Sequence, residues 1–137
     1  MNDKVLVSIA LCTYNGEAYL REQLDSIVNQ SYPAIELIAV DDCSSDNTLK
    51  ILEEYAAEYP FIQVCVNPEN LGYIRNFEKA LGLCNGDFIA LSDQDDIWDL
   101  KKIEKQVKTI GNHLLIYHDS EFVDQNGQSL HRKMSDI

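Results

Sequence analysis

The stretch VLVSIALCTYNGEAYLREQLDSIVNQSYPAIELIAVDD, residues 5–42, sets two different periodicities side by side. Its opening run VLVSIALC (5–12) is almost continuously apolar, the pattern of a strand buried on both faces. TYNGE then interrupts it. Leu20, Leu24, Ile27 and Val28 follow at helical spacing with Arg21, Glu22 and Asp25 on other faces, which predicts an amphipathic helix. Pro33 ends that region, and ELIAV (36–40) is a second apolar strand. Strand, helix and strand in so short a span form the unit from which parallel sheets are built.

The rest of the chain repeats this alternation. DDCSSDNT (41–48) supplies turn and N-cap residues for a helix over residues 48–59, which Pro60 stops. FIQVCV (61–66) reads as a third strand. Ile74, Phe77, Leu81 and Cys84 mark the apolar face of another helix, NGD closes it, and FIALS (88–92) is a fourth strand. Asp99 is expected to cap a last helix with the face Leu100, Ile103, Val107 and Ile110. LLIYH (114–118) reads as a fifth strand, and Asn126-Gly127 is a hairpin turn signal. The expected fold is α/β, a Rossmann-like three-layer sandwich around a mainly parallel central sheet, in one domain over residues 1–137.

Composition agrees with a folded domain and narrows its partners. The chain has 137 residues, 45% of them hydrophobic, and carries a formal net charge of −12. That charge argues against binding a nucleic-acid backbone, which needs basic patches, but leaves room for small anions held by a metal ion or by helix N-termini. No apolar run approaches the roughly 20 residues that span a bilayer. The start MNDKVLVSIALC is too acidic and its apolar stretch too short for a secretory signal. Cys12, Cys43, Cys65 and Cys84 show no C-x-x-C spacing and are expected to be reduced, buried thiols of a cytoplasmic protein.

In open α/β sheets, ligands bind beyond the carboxyl ends of the strands. Polar residues gather there three times: Thr13, Tyr14 and Asn15 after the first strand, Asp41 and Asp42 after the second, and Asp93, Asp95 and Asp96 after the fourth. Each group also has a plain structural reading. Thr13 to Gly16 can be only a turn, and one of Asp41 and Asp42 can serve the next helix N-terminus, where the dipole favours acids. Asn70, Gly72 and Arg75 can be loop residues, with Gly72 supplying a positive φ. For the last group, a calcium loop beginning at Asp93 fails. Ile97 stands where an oxygen ligand belongs and Trp98 where the tight turn needs glycine. What remains is a D-x-D at a strand end. Carboxylates so placed raise one another's pKa unless a cation shares the site, and hard oxygen donors suit Mg²⁺ or Mn²⁺.

The segments VSIALCTYNGEAYLREQLDSIVNQSYPAIELIAVDDCSSDNT, NLGYIRNFEKAL and NGDFIALSDQDDIW, in this order, resemble the nucleotide-binding half of family 2 glycosyltransferases of the GT-A fold. The SDQDDIW form looks most like bacterial rhamnosyltransferase-type members that build polysaccharides. The resemblance implies that Thr13, Tyr14 and the adjoining Asn15 lie against a nucleotide, with Tyr14 stacking on the base. It implies that Asp42 accepts the pyrimidine ring N–H with Asp41 supporting the loop, and that Arg75 approaches the nucleotide. Asp95 is implied as the direct metal ligand and Asp93 as a ribose or water-mediated metal contact, with Asp96 a further candidate.

The same resemblance implies an inverting, metal-dependent transfer from a UDP- or dTDP-sugar to a glycan or lipid-linked acceptor. Peripheral membrane association at the inner face and self-association are further expectations. Family members continue past the D-x-D into an acceptor-binding half that contains a carboxylate base. Asp119, Glu121 and Asp124 fall too early for that role, so no base is assigned and the chain is expected to be a truncated donor-binding portion. A phosphoacceptor receiver domain is the rival from another class, but its acidic pair should follow the first strand, where Thr13-Tyr14-Asn15 stands. A nucleotidylyltransferase would want a glycine-rich basic loop near the N-terminus. A non-catalytic nucleotide-binding or interaction module is the remaining alternative.

Overall fold

A computed structural model of the chain describes residues 4–137. Met1, Asn2 and Asp3, part of the stretch read against a secretory signal, lie outside the described residues. The described chain forms two compact units, Met1–Lys105 and Gln106–Ile137.

The first unit is the alternating α/β layer structure. Strands β1 (Val7–Thr13), β2 (Ile35–Asp41), β3 (Ile62–Val66) and β4 (Phe88–Asp93) form one sheet in the order β3-β2-β1-β4. All its pairings are parallel. Helices α1 (Leu20–Val28), α2 (Thr48–Glu58) and α3 (Tyr73–Leu83) connect the strands, and α4 (Lys102–Ile110) follows β4. β1 is buried along its whole length, Ser8 and Thr13 included, as its nearly continuous apolar run leads one to expect. Its alternate residues serve two cores. Ala10 and Cys12 pack with Ile38, Val40 and Ala80, beside Phe77 and Cys84; Ile9 and Leu11, also fully buried, point to the opposite face. The sheet order places the switch point between β1 and β4, because the chain runs outward from β1 to β3 and then returns to β1's other side.

Three expectations need correction. The run 114–118 is not a strand. It joins no ladder among the described residues, and Leu114, Leu115 and Tyr117 stand exposed. An apolar run becomes a strand only where partners take up its backbone groups. The strands of the second unit are instead β5 (Glu121–Val123) and β6 (Ser129–Lys133), an antiparallel hairpin. Its turn has Gly127 at φ 76°, as Asn126-Gly127 foretold. Second, α3 is rotated from its expected face. Ile74 (79%) and Leu81 (40%) are exposed while Asn76 and Ala80 are buried. Third, of the four free cysteines only Cys12 is buried; Cys65 and Cys84 are half-buried and Cys43 is exposed. Among the described residues no helix is long and apolar enough to cross a membrane.

Candidate functional site

The parallel register brings the polar strand ends to one rim. Thr13 stands opposite Asp41, and Cys12 opposite Asp93, so the connections after β1, β2 and β4 leave the sheet side by side.

The first two connections are laced together by side chains. Thr13 Oγ1 donates to Asp41 Oδ1 at 2.8 Å, and Asp41 also accepts the Ser44 hydroxyl at 2.6 Å and the Ser44 N–H at 2.9 Å. Asn15, at φ 46°, donates its N–H to Ser44 Oγ and accepts the Ser45 N–H on Oδ1. Gly16 N–H reaches Thr48 Oγ1 at 2.8 Å. Thr13 and Asp41 are therefore buried bracing groups, whereas the Tyr14 side chain is left half-exposed at the mouth.

Asp42 braces the third connection. Its Oδ1 accepts Asn67 Nδ2 at 2.8 Å and the Leu71 N–H at 2.7 Å, and its Oδ2 accepts the Gly72 N–H at 2.9 Å. Burial raises this carboxyl's pKa, but the donors from Leu71, Asn67 and Gly72, with the Lys79 charge, outweigh it and hold the pKa below the usual carboxylate range. An ionised carboxylate offers about four lone-pair directions, so these three donors leave one direction on Oδ2 unfilled among the described residues. Gly72 takes φ 83°, which the sequence anticipates and a side chain would strain. Asn67 and Asn76 extend the network: Asn67 Nδ2 also donates to Asn76 Oδ1, and Lys79 Nζ donates to Asn67 Oδ1. Arg75, in the first turn of α3, is exposed.

At the end of β4, Asp93, Asp95 and Asp96 are exposed. Burial of its surroundings raises the Asp93 pKa, and the charges of Asp96 and Asp95 raise it further. Asp93 in turn raises the Tyr73 phenol, and burial with Asp93 and Asp42 pushes the Cys12 thiol up to about 12. The rim thus holds an excess of negative charge, which a cation would relieve. Among the described residues no three His, Cys, Asp or Glu side chains gather tightly enough to hold a metal by themselves. The donor set fits an ion such as Mg²⁺ or Mn²⁺, which takes one or two carboxylates and fills its shell from water and phosphate oxygens. Lys102 lies behind this loop with its Nζ 3.9 Å from the centre of the buried Trp98 ring. Burial lowers the Lys102 pKa to about 8, against a raising contribution from Asp96. Asp99 serves the start of α4, accepting the Lys101 N–H on Oδ1 and the Lys102 N–H on its carbonyl.

Two groups at this rim escape sequence reasoning. Asn67 and Asn76 carry no signal in the sequence pattern, although both are buried. Gln94, the middle residue of the D-x-D, grips the Tyr14 backbone on both sides, accepting its N–H at 2.8 Å and donating to its carbonyl at 3.0 Å. Its place within the motif is the one signal that singles it out.

A four-stranded parallel sheet with acidic residues gathered at its switch point places the chain among the open α/β folds. Residues 8–134 match the family model for glycosyl transferase family 2, and the chain belongs to that family. It is 39% identical over 107 residues to the putative teichuronic acid biosynthesis glycosyltransferase TuaG of Bacillus subtilis, covering 78% of this chain and 42% of the relative. An uncharacterized glycosyltransferase of Haemophilus influenzae is 40% identical over 107 residues, covering 78% and 33%. The chain thus spans less than half the length of these curated relatives. Among solved structures, S. aureus TarS 1-349 in complex with UDP superimposes with a TM-score of 0.73 at 32% identity, over 79% of this chain and 32% of that one. The mannosyltransferase PcManGT of Pyrobaculum calidifontis, solved with GDP-Man and Mn2+, shares the fold at a TM-score of 0.75 and 23% identity, over 90% and 36%. The fold is that of the GT-A glycosyltransferases.

Proposed function

We propose that this chain is the donor-binding portion of an inverting, metal-dependent glycosyltransferase that takes its sugar from a UDP- or dTDP-sugar. The observation that carries the reading is the convergence, on one rim, of an exposed aromatic, a carboxylate with one lone pair to spare, and a strand-end D-x-D. The TarS complexes with UDP and UDP-GlcNAc support a uridine nucleotide as the first ligand to try.

In this reading the Tyr14 ring stacks on the base and the open side of Asp42 Oδ2 accepts its ring N–H. Asp41, Thr13 and Asn15 hold the two loops at the required separation, and Arg75 faces the phosphates across the cleft. Asp95 ligates the metal and Asp93 meets the ribose or a metal-bound water, with Asp96 beside them. A Mg²⁺ or Mn²⁺ ion bound there supplies Lewis-acid stabilisation of charge on a departing diphosphate. An acceptor hydroxyl of a glycan or lipid-linked sugar forms the new bond to the anomeric carbon as the bond to the diphosphate oxygen breaks. Its proton goes to a base that this reading does not place among Asp119, Glu121 or Asp124.

Calorimetric titration with UDP and dTDP, each with and without Mn²⁺, tests the reading. Binding that strengthens with Mn²⁺, and loses that gain in Asp95→Ala, is the expected result. Titrations that show no nucleotide binding under either condition would leave an interaction module as the better description.

A further inference from the structure

Parallel strands β1 and β4 hydrogen-bond as far as Cys12 opposite Asp93. Beyond that pair they diverge, because one continues into the Tyr14 loop and the other into the D-x-D. The switch-point crevice opens at this place, yet the two chains remain joined. Gln94 Oε1 accepts the Tyr14 N–H at 2.8 Å and Gln94 Nε2 donates to the Tyr14 carbonyl at 3.0 Å. A primary amide presents the same acceptor and donor as a peptide group, so the side chain continues the ladder one step past the last backbone pair. Only one orientation of the amide satisfies both partners. The Tyr14 ring takes no part and stays half-exposed.

A second, independent feature makes room for this contact. A Cβ built on Gly16 would lie 2.3 Å from Gln94 Oε1 and 2.6 Å from Gln94 Cδ. The glycine is therefore what admits the amide into the loop. Its backbone needs no left-handed φ, so close approach is the reason for a residue without a side chain here.

We infer that Gln94 is a positioning residue that couples nucleotide binding at Tyr14 to metal binding at Asp93 and Asp95, with the missing side chain of Gly16 making room for it. The inference rests on the donor-site reading above. Gln94 is bonded covalently to both carboxylate residues, so any adjustment of their loop is carried by the amide to the backbone that aims the Tyr14 ring. An amine or carboxylate could not substitute, since the Tyr14 peptide needs one acceptor and one donor in a fixed fork.

The test is calorimetry of UDP, with and without Mn²⁺, on four forms of the full chain: wild type, Gln94→Ala, Gly16→Ala and the double variant. Gln94→Ala is expected to weaken UDP binding in Mn²⁺ about tenfold, the upper end of the worth of one ordinary hydrogen bond, and to shrink the gain that Mn²⁺ gives. Gly16→Ala should do the same by evicting a flexible side chain, and should add nothing once Gln94 is alanine. Proton exchange at the Tyr14 amide, followed by NMR, should quicken in all three variants. Wild-type Mn²⁺ dependence in Gln94→Ala, or strictly additive losses in the double variant, overturns the coupling while leaving the donor site standing. Absence of UDP binding by the wild type overturns the donor-site reading and the coupling with it, whatever the Tyr14 exchange rates show.

Discussion

Asp42, like Asp41 beside it, braces this rim through three hydrogen bonds to its carboxylate. It accepts three short hydrogen bonds from Asn67, Leu71 and Gly72 while itself 3% exposed. Replacing it by asparagine keeps the volume but turns an amide N–H towards one of those donors and removes the charge. Asp42→Asn should therefore lower stability by about 2–3 kcal/mol, the range for hydrogen bonds to a charged group. The pH dependence follows from the depressed pKa of the native carboxyl. A group whose pKa falls on folding stabilises the fold above its unfolded-state value, and that contribution is lost as pH drops through the native value. Urea titrations at descending pH should show the wild-type advantage shrinking in the acid range and a constant gap at neutrality. A pH-independent difference would mean that shape, not charge, sets the cost. Gln94 shows the limit of reading residues one at a time. The acids around it are conspicuous, while its own role depends on a partner 80 positions away.

At the scale of elements, β1 and β2 were legible because a strand buried on both faces must be apolar at nearly every position, whereas the part-exposed β3 and β4 were legible as short apolar runs bounded by turn residues. α3 was legible as a helix but not in its orientation. Counting Ile74 and Leu81 as core places the stripe about a quarter-turn from where it lies, because the buried stripe contains Asn76, Ala80 and the part-buried Phe77. Asn76 is buried for a reason the pattern does not contain: its Oδ1 accepts from Asn67 and its Nδ2 donates to the Val40 carbonyl at 3.0 Å, tying the helix to β2. Alanine at position 80 then lets the helix approach the sheet closely. Ala80→Leu should overpack that contact and cost about 1–3 kcal/mol, whereas Ile74→Glu should change stability by less than about 0.5 kcal/mol. Paired denaturant melts check both. A large loss in Ile74→Glu with a tolerated Ala80→Leu would return the helix to its sequence-predicted face. The run 114–118 was misread for a related reason, since a short apolar run records hydrophobicity but not whether a ladder partner exists for it.

For the whole molecule, charge is the dominant fact. A formal net charge of −12 on 137 residues makes the folded state repel itself, and the repulsion is concentrated where Asp93, Asp95 and Asp96 meet. Composition already pointed away from nucleic acid, but it could not show that the acids crowd at a strand end whose neighbours Cys12 and Tyr73 feel them too. Two kinds of relief are separable by experiment. Sodium chloride screens all surface charges alike, with a Debye length near 10 Å at about 0.1 M. A divalent ion seated between two carboxylates acts at one point and by mass action. Raising sodium chloride from about 0.01 M to about 0.15 M should therefore raise the melting temperature modestly in wild type and in Asp95→Ala alike. Manganese chloride at matched ionic strength, present at about ten times its dissociation constant, should add about 1.4 kcal/mol to wild type. For a chain of this size that is a shift of roughly 3–8 °C, and most of it should vanish in Asp95→Ala. UDP added with Mn²⁺ should raise wild type further, because the diphosphate completes an ion shell that two carboxylates leave open. Equal shifts from the two salts, in both proteins, would mean that the acidic rim is merely solvated and that no ion site lies at the end of β4.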